Sequence, residues 1–175
     1  MNIDVVKLGY LETNCYVLEK NNNILLIDPG DESYKIIDKI KDKKLLAILI
    51  THNHFDHVGA LSDILSKYKV EVYDKNNLEE KEYNIDEFKF KVIYNPGHTS
   101  DSISYLFDNN LFCGDFIFKD SIGRWDLPTG DFEELLNSID KIKEYNDLII
   151  YPGHGDSTFL EEEKKNNKYF KIRKK

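Results

Sequence analysis

All five histidines of the chain lie in three short motifs: Thr51-His52-Asn53-His54-Phe55-Asp56-His57, Pro96-Gly97-His98 and Pro152-Gly153-His154-Gly155. Between the second and third stands Cys113-Gly114-Asp115, whose carboxylate follows an apolar run. No histidine is left for another task, and the H-x-H-x-D-H cluster is dense enough to hold two cations. Neutral imidazole with carboxylate suits Zn²⁺, with Fe or Mn as further candidates. A chance crowding of solvated or core histidines would not also place glycine beside the outlying members. His52 and His54 stand two apart, so on a loop both can face one point. Asp56 and His57 are adjacent and diverge, which suits them to a neighbouring cation. The helical H-E-x-x-H pair of common metalloproteases needs a spacing of four, and the chain has none.

Such groups need a rigid frame, and hydrophobic periodicity supplies one. Asn14 to Leu18, a turn at Asn21-Asn22-Asn23, and Ile24 to Ile27 read as strand, turn, strand, closed by Asp28-Pro29-Gly30. Ser33 to Lys43 sets Ile36, Ile37 and Ile40 on one helical face. Leu45 to Ile50 is a continuous apolar run, as expected of a strand covered on both faces. A short helix is predicted from Ala60 to Tyr68. Strands follow at Val70 to Tyr73, Phe88 to Tyr94, Ile103 to Phe107 and Leu111 to Cys113. The remainder reads as a helix from Phe132 to Tyr145, a strand from Leu148 to Tyr151, and a helical stretch from Glu161 to Phe170. His52, His98, Asp115 and His154 each come just after the C-terminal end of a strand, where loops on a rigid sheet collect catalytic groups.

Composition agrees with one compact enzyme domain. The 175 residues allow a sizeable core but no second large domain. Hydrophobic and charged fractions of 41% and 32% are ordinary for a globular protein. A net charge of −8 argues against a nucleic-acid surface. The N-terminus, Met1 to Lys7, has no basic segment followed by an apolar run, and no stretch is long enough to cross a membrane. Cytoplasm is the expected compartment. Cys15 and Cys113 lie in strand-like runs and are expected as buried, reduced thiols. The lysine-rich ending, Lys171 to Lys175, reads as a solvated tail.

Taken together, Thr51-His52-x-His54-x-Asp56-His57-x-Gly59, Pro96-Gly97-His98-Thr99, Gly114-Asp115 and Pro152-Gly153-His154-Gly155 resemble the metallo-β-lactamase-fold hydrolases. The resemblance covers nearly the whole chain, with all seven ligand positions present. It implies an α/β fold: a single-domain, four-layer αββα sandwich with a dinuclear site along one edge. It also implies one metal on His52, His54 and His98, a second on Asp56, His57 and His154, and Asp115 bridging both. A narrower resemblance is to short bacterial members of the glyoxalase II group. It rests on Asp115 where true β-lactamases commonly carry Cys, on Gly123-Arg124-Trp125-Asp126-Leu127-Pro128, and on Thr158, Glu163 and Asn167 at the intervals of that group's closing segment. Three positions depart: Ala60 and Asp101 stand where Gly is usual, and Lys168 replaces a common Pro. Full-length glyoxalase II enzymes carry a C-terminal helical domain that grips glutathione, and none is expected here.

The resemblance implies hydrolysis of an acyl thioester such as S-lactoylglutathione. Two divalent cations roughly 3.5–4 Å apart can hold a bridging water and lower its pKa toward neutrality, giving a hydroxide nucleophile. Asp56 is expected to orient that nucleophile as well as to ligate. A thiolate, with a conjugate acid near pKa ~8.5, leaves without an added acid. Asp28 is read either as an acceptor for a ligand imidazole or as a turn-former before Pro29. Arg124 is read as a substrate contact or as an anchor of its own loop through Asp126. Tyr10, Phe118 and Trp125 are candidates for an acyl pocket or the core. The glycines beside His98 and His154 are expected to serve tight turns. The expected partner is a small-molecule thioester. A rival is a mononuclear Fe(II) persulfide dioxygenase of the same fold, which shares the Gly-Arg-x-Asp segment; hydrolysis of another ester or lactone is a second. A flavodiiron protein is disfavoured by His54 and a nuclease by the acidic charge. A metal-binding scaffold without activity would be expected to lack ligands, and none is missing.

Overall fold

The computed structural model describes residues 1–172, so most of the predicted lysine-rich tail, Lys171 to Lys175, lies outside the described residues. One mixed sheet has the strand order β1-β2-β3-β4-β5. These are Asn2–Leu8, Thr13–Lys20, Asn23–Ile27, Lys44–Leu49 and Glu71–Tyr73. The second sheet takes β6 (Glu82–Ile85), β7 (Phe88–Tyr94), β8 (Ile103–Phe107), β9 (Asn110–Gly114), β12 (Ile149–Pro152) and β13 (Thr158–Phe159). Its order is β13-β12-β9-β8-β7-β6. A small hairpin, β10 (Ile117–Phe118) with β11 (Ser121–Ile122), stands apart.

Period-two alternation along the strands builds three apolar layers. Along β2, Tyr16 and Leu18 point between the sheets, while Cys15 and Val17 point out beneath the helices. Along β9, Phe112 joins the inter-sheet core, and Leu111 and Cys113 face the opposite helical layer. Helices α1 (Ser33–Ile40) and α3 (Leu61–Lys67) cover the first sheet through Ile36, Ile40 and Ile64. Helices α4 (Phe132–Ile142) and α5 (Leu160–Asn166) cover the second through Leu135, Ile139 and Leu160. The result is the expected four-layer αββα sandwich. Both cysteines are buried free thiols, in the two outer layers. Among the described residues, no helix is long and apolar enough to cross a membrane.

Several boundaries differ from the periodicity. The first helix stops at Ile40 instead of Lys43, because Lys41 takes a positive φ of 51° with ψ of −122° and ends the helical path. The fourth stops at Ile142 rather than Tyr145, its last residues forming turns. The C-terminal helical stretch is two pieces, α5 and a 3₁₀ turn over Lys168–Lys171. Strands β1 and β6 had no reading in the sequence. Asp56 and His57 sit on a single helical turn, α2 (Phe55–Val58), not on an open loop.

Candidate metal centre

Loops from both sheets meet at one end of the sandwich. The segment after β4 delivers His52 and His54, and the turn of α2 adds Asp56 and His57. The second sheet contributes His98 after β7, Asp115 after β9 and His154 after β12. The His98 loop is pinned to α4: the Asp131 N–H donates to Gly97 O at 2.8 Å, and Ser138 Oγ donates to Pro96 O at 2.7 Å. The His154 loop is pinned to β2, where Asn14 Nδ2 donates to Pro152 O and Gly155 O and Tyr16 Oη donates to Pro152 O. Those two side chains had no functional reading in the sequence, since their partners lie more than a hundred residues away.

Three overlapping groups of donors result: His52, His54 and His98; His52, His57 and Asp115; and Asp56, His57 and His154. In the first, His54 Nδ1 lies 3.1 Å from His52 Nε2 and 3.0 Å from His98 Nε2. In the others, His57 Nε2 lies 3.3 Å from Asp115 Oδ1 and 3.5 Å from Asp56 Oδ2, and His154 Nε2 lies 3.2 Å from Asp56 Oδ2 and 3.4 Å from Asp115 Oδ2. Asp115 therefore touches both sides of the cluster, with its Oδ2 also 3.6 Å from His98 Nε2.

The outer ring nitrogens decide which way each imidazole presents its lone pair. His98 Nδ1 donates to Arg124 O at 2.6 Å, and His154 Nδ1 donates to Leu11 O at 3.0 Å. A carbonyl can only accept, so both inner Nε2 atoms carry lone pairs when the rings are neutral. His57 Nδ1 donates to Asp28 Oδ2 at 2.8 Å, and Asp28 also accepts from the Thr51 N–H and Oγ1 at 2.8 and 2.6 Å. With its hydroxyl proton given to Asp28, Thr51 Oγ1 is left to accept from His52 Nδ1 at 3.1 Å. Outer acceptors of this kind fix tautomer and ring direction in metal sites. Asp28 fills both roles read for it: it holds His57, and with φ of 53° it also makes the turn before Pro29.

Charge is divided across the cluster. Burial, helped by neighbouring His57, drives His52 well below the usual imidazole range, and His54 is lowered mainly by burial. Burial opposes charge on His57 too, yet Asp28 and Asp115 outweigh it and raise its pKa to about 10. For His154 the bonds from Asp115 and Asp56 overcome burial and raise it to about 9. Burial would favour protonation of Asp115, but His154 and His57 hold it well below the carboxylate range. The carboxylate-rich side thus favours positive charge, while the imidazole side stays neutral and able to donate lone pairs. Two buried atoms at the junction, His57 Nε2 and Asp115 Oδ1, have no hydrogen-bond partner. Converging nitrogens, ionised carboxylates and orphaned buried atoms fit a bound cation.

The cluster opens onto a cleft of about 1040 Å³. Phe118 lines it with Leu11, Phe55, Ile122, Leu127 and Pro128. Tyr10 and Trp125 do not: Tyr10 is 98% exposed, and Trp125 packs on Phe132 and Tyr169 in the outer core. Arg124 lines the cleft but clasps Asp126 with two bonds of 2.8 and 2.9 Å, the loop-anchoring role read for it. The glycines do more than turn the chain. A Cβ at Gly153 would stand 2.2 Å from Asp115 Oδ1 and 2.7 Å from His57 Cε1, and one at Gly97 would meet Leu135 of α4. The wall formed by β10 and β11 is tied to the C-terminal helix through Glu163. Its buried carboxylate accepts from Thr158 Oγ1, the Asp120 N–H and Asn167 Nδ2, and Asn167 Nδ2 also donates to Ser121 O.

Comparison with known proteins places this geometry. The chain is 31% identical to hydroxyacylglutathione hydrolase GloC of Haemophilus influenzae, over 97% of this chain and 98% of the relative. Among solved structures, BLEG-1, a B3 metallo-beta-lactamase, matches with a TM-score of 0.89 at 32% identity, over 95% of this chain and 98% of that one. TTHA1623 in a di-iron-bound form matches with a TM-score of 0.85 at 30% identity, over 94% and 98%. A family model described as the metallo-beta-lactamase superfamily matches residues 8–74 and 72–154. The chain belongs to the metallo-beta-lactamase superfamily of metal-dependent hydrolases.

Proposed function

We propose that the protein is a dinuclear hydrolase of acyl thioesters, close in chemistry to hydroxyacylglutathione hydrolases. His52, His54 and His98 would hold one divalent cation, Asp56, His57 and His154 a second, and Asp115 would be shared. The observation that carries the reading is the orphaned pair, His57 Nε2 and Asp115 Oδ1, buried where the donor groups overlap. The donor set suits Zn²⁺, with Fe or Mn as alternatives. When bound, such cations supply Lewis acidity for activating water and polarising a carbonyl.

The chain's own groups define the remaining steps. Thr13 Oγ1 donates to Asp56 Oδ2 at 2.9 Å and fixes the carboxylate that would align the attacking water. Burial works against ionisation of Asp56, but His154 and His57 keep its pKa far below the usual range, so it accepts rather than donates. The apolar wall of Phe118, Ile122, Leu127 and Pro128 would receive the acyl group and exclude bulk water. No spare imidazole stands by as a general acid, which suits a thiolate leaving group.

Elemental analysis after dialysis, paired with S-lactoylglutathione hydrolysis and oxygen uptake on a persulfide, tests the reading. Two metal ions per chain with thioester turnover support it. One iron per chain, unaffected by His57→Ala and accompanied by persulfide-dependent oxygen consumption, would replace it with the dioxygenase. The likeness to BLEG-1 makes a β-lactam the control substrate.

A further inference from the structure

The cleft offers almost nothing to an anion away from the metal cluster. Among the described residues that line it, Arg124 is the sole lysine or arginine, and its charge is balanced by an exposed ion pair with Asp126. Asp101 supplies the opposite charge at the same rim. Its Oδ2 accepts from the Asn53 backbone N–H at 3.1 Å and from Asn53 Nδ2 at 2.8 Å. The carboxylate is thereby fixed against the residue between His52 and His54, on the wall of the cleft. Burial opposes its ionisation, but bonds from Thr99 and Asn53 outweigh it and keep the group charged. Deeper in, Asp28, Asp56 and Asp115 would offset most of the charge of a cation pair, so the rim sets the field a carrier meets. The chain as a whole carries −8.

Resting on the thioesterase reading above, we infer that the cleft selects apolar acyl thioesters whose thiol carrier bears no negative charge, and that Asp101 turns anionic carriers away. One like charge within several ångströms of a fixed carboxylate at a protein surface is worth about tenfold in kcat/KM. The repulsion acts between partly solvated groups, so it fades with salt.

The test uses metal-loaded enzyme and one acyl group on four carriers: N-acetylcysteamine (neutral), thiocholine (cationic), 3-mercaptopropionate (anionic) and glutathione (net anionic). The neutral and cationic thioesters should exceed the anionic ones by about tenfold at low salt, and the ratio should shrink toward unity near ~0.5 M ionic strength. Asp101→Asn should bring the low-salt ratio near unity, and Asp101→Lys should invert it. Reading a ratio cancels any general loss from disturbing Asn53. Equal or faster turnover of the anionic thioesters by the unaltered enzyme overturns the inference, as does a ratio unmoved in both variants. Turnover of none of the four would refute the thioesterase reading and this inference with it.

Discussion

Asp28→Asn isolates a single proton position. Asp28 takes three donors on two oxygens: the Thr51 N–H on Oδ1, and the Thr51 hydroxyl and His57 Nδ1–H on Oδ2. Asparagine tolerates the left-handed backbone at this position, so shape and turn are kept. It has one acceptor oxygen. With that oxygen in the place of Oδ2, its NH₂ faces the Thr51 N–H and leaves a buried donor unsatisfied. Flipped, its NH₂ faces His57 Nδ1, which must give up its proton, and the neutral ring then carries hydrogen on Nε2, pointing at Asp115. Either arrangement costs ~1–3 kcal/mol. At ~2–4 °C per kcal/mol for a chain of this size, the metal-stripped variant should melt about 3–10 °C lower. Metal affinity should fall ~10–100-fold. Thermal melts and competition with a chromophoric chelator read both. A variant with an unchanged melting point and unchanged affinity would refute the assignment of Asp28 as the group that sets the His57 tautomer.

Gly153→Ala should fold but lose activity: the new Cβ sits 2.2 Å from Asp115 Oδ1, which must move by about 1 Å, and such a misplacement costs ~10²-fold in kcat. Metal-stripped protein should lose stability as pH rises, because His57 and His154 have pKa values raised to about 10 and about 9. Their contribution is complete below the unfolded value of ~6.5 and lost through the folded ones, so melting points should fall between pH ~6.5 and ~10. Burial pushes the Cys113 thiol up to about 12, and Cys15 higher still. Ellman's reagent at pH ~8 should therefore find no fast-reacting thiol until denaturant is added.

The motifs that converge on the candidate metal centre were legible because metal chemistry confines itself to few residue types at short spacings. Strands β2, β3, β4, β8 and β9 were legible because burial on both faces leaves largely apolar runs, and β7 because Phe88 and Phe90 alternate with Lys89 and Lys91. Strand β1 escaped because it is a sheet edge: Asn2, Val5 and Lys7 are solvent-facing or half so, and polar and apolar residues mix without a clean period. Strand β6, Glu82–Ile85, has the same edge position and two exposed residues in four. Helix α2 is one turn, shorter than any helical period can register. Asn14 and Tyr16 hold the His154 loop across the gap between sheets, a contact visible only once both sheets are folded. Trp125 and Tyr10 show the limit of aromatic counting, since residue type says nothing of which side of a loop faces the cleft.

Glu163 gives the molecule a mechanical property. The carboxylate joins the C-terminal helix to the hairpin that carries Phe118 and Ile122, through bonds to Asp120 and, by way of Asn167, to Ser121. The helix and this wall of the cleft are therefore held together by one buried carboxylate, although no candidate metal donor lies on either. Asp115 lies two residues before the hairpin and Arg124, whose carbonyl holds His98, two residues after it, so a shift of this wall would reach the donors as well. The wall of the cleft and the cluster of donors are thus coupled through the short segments on either side of the hairpin.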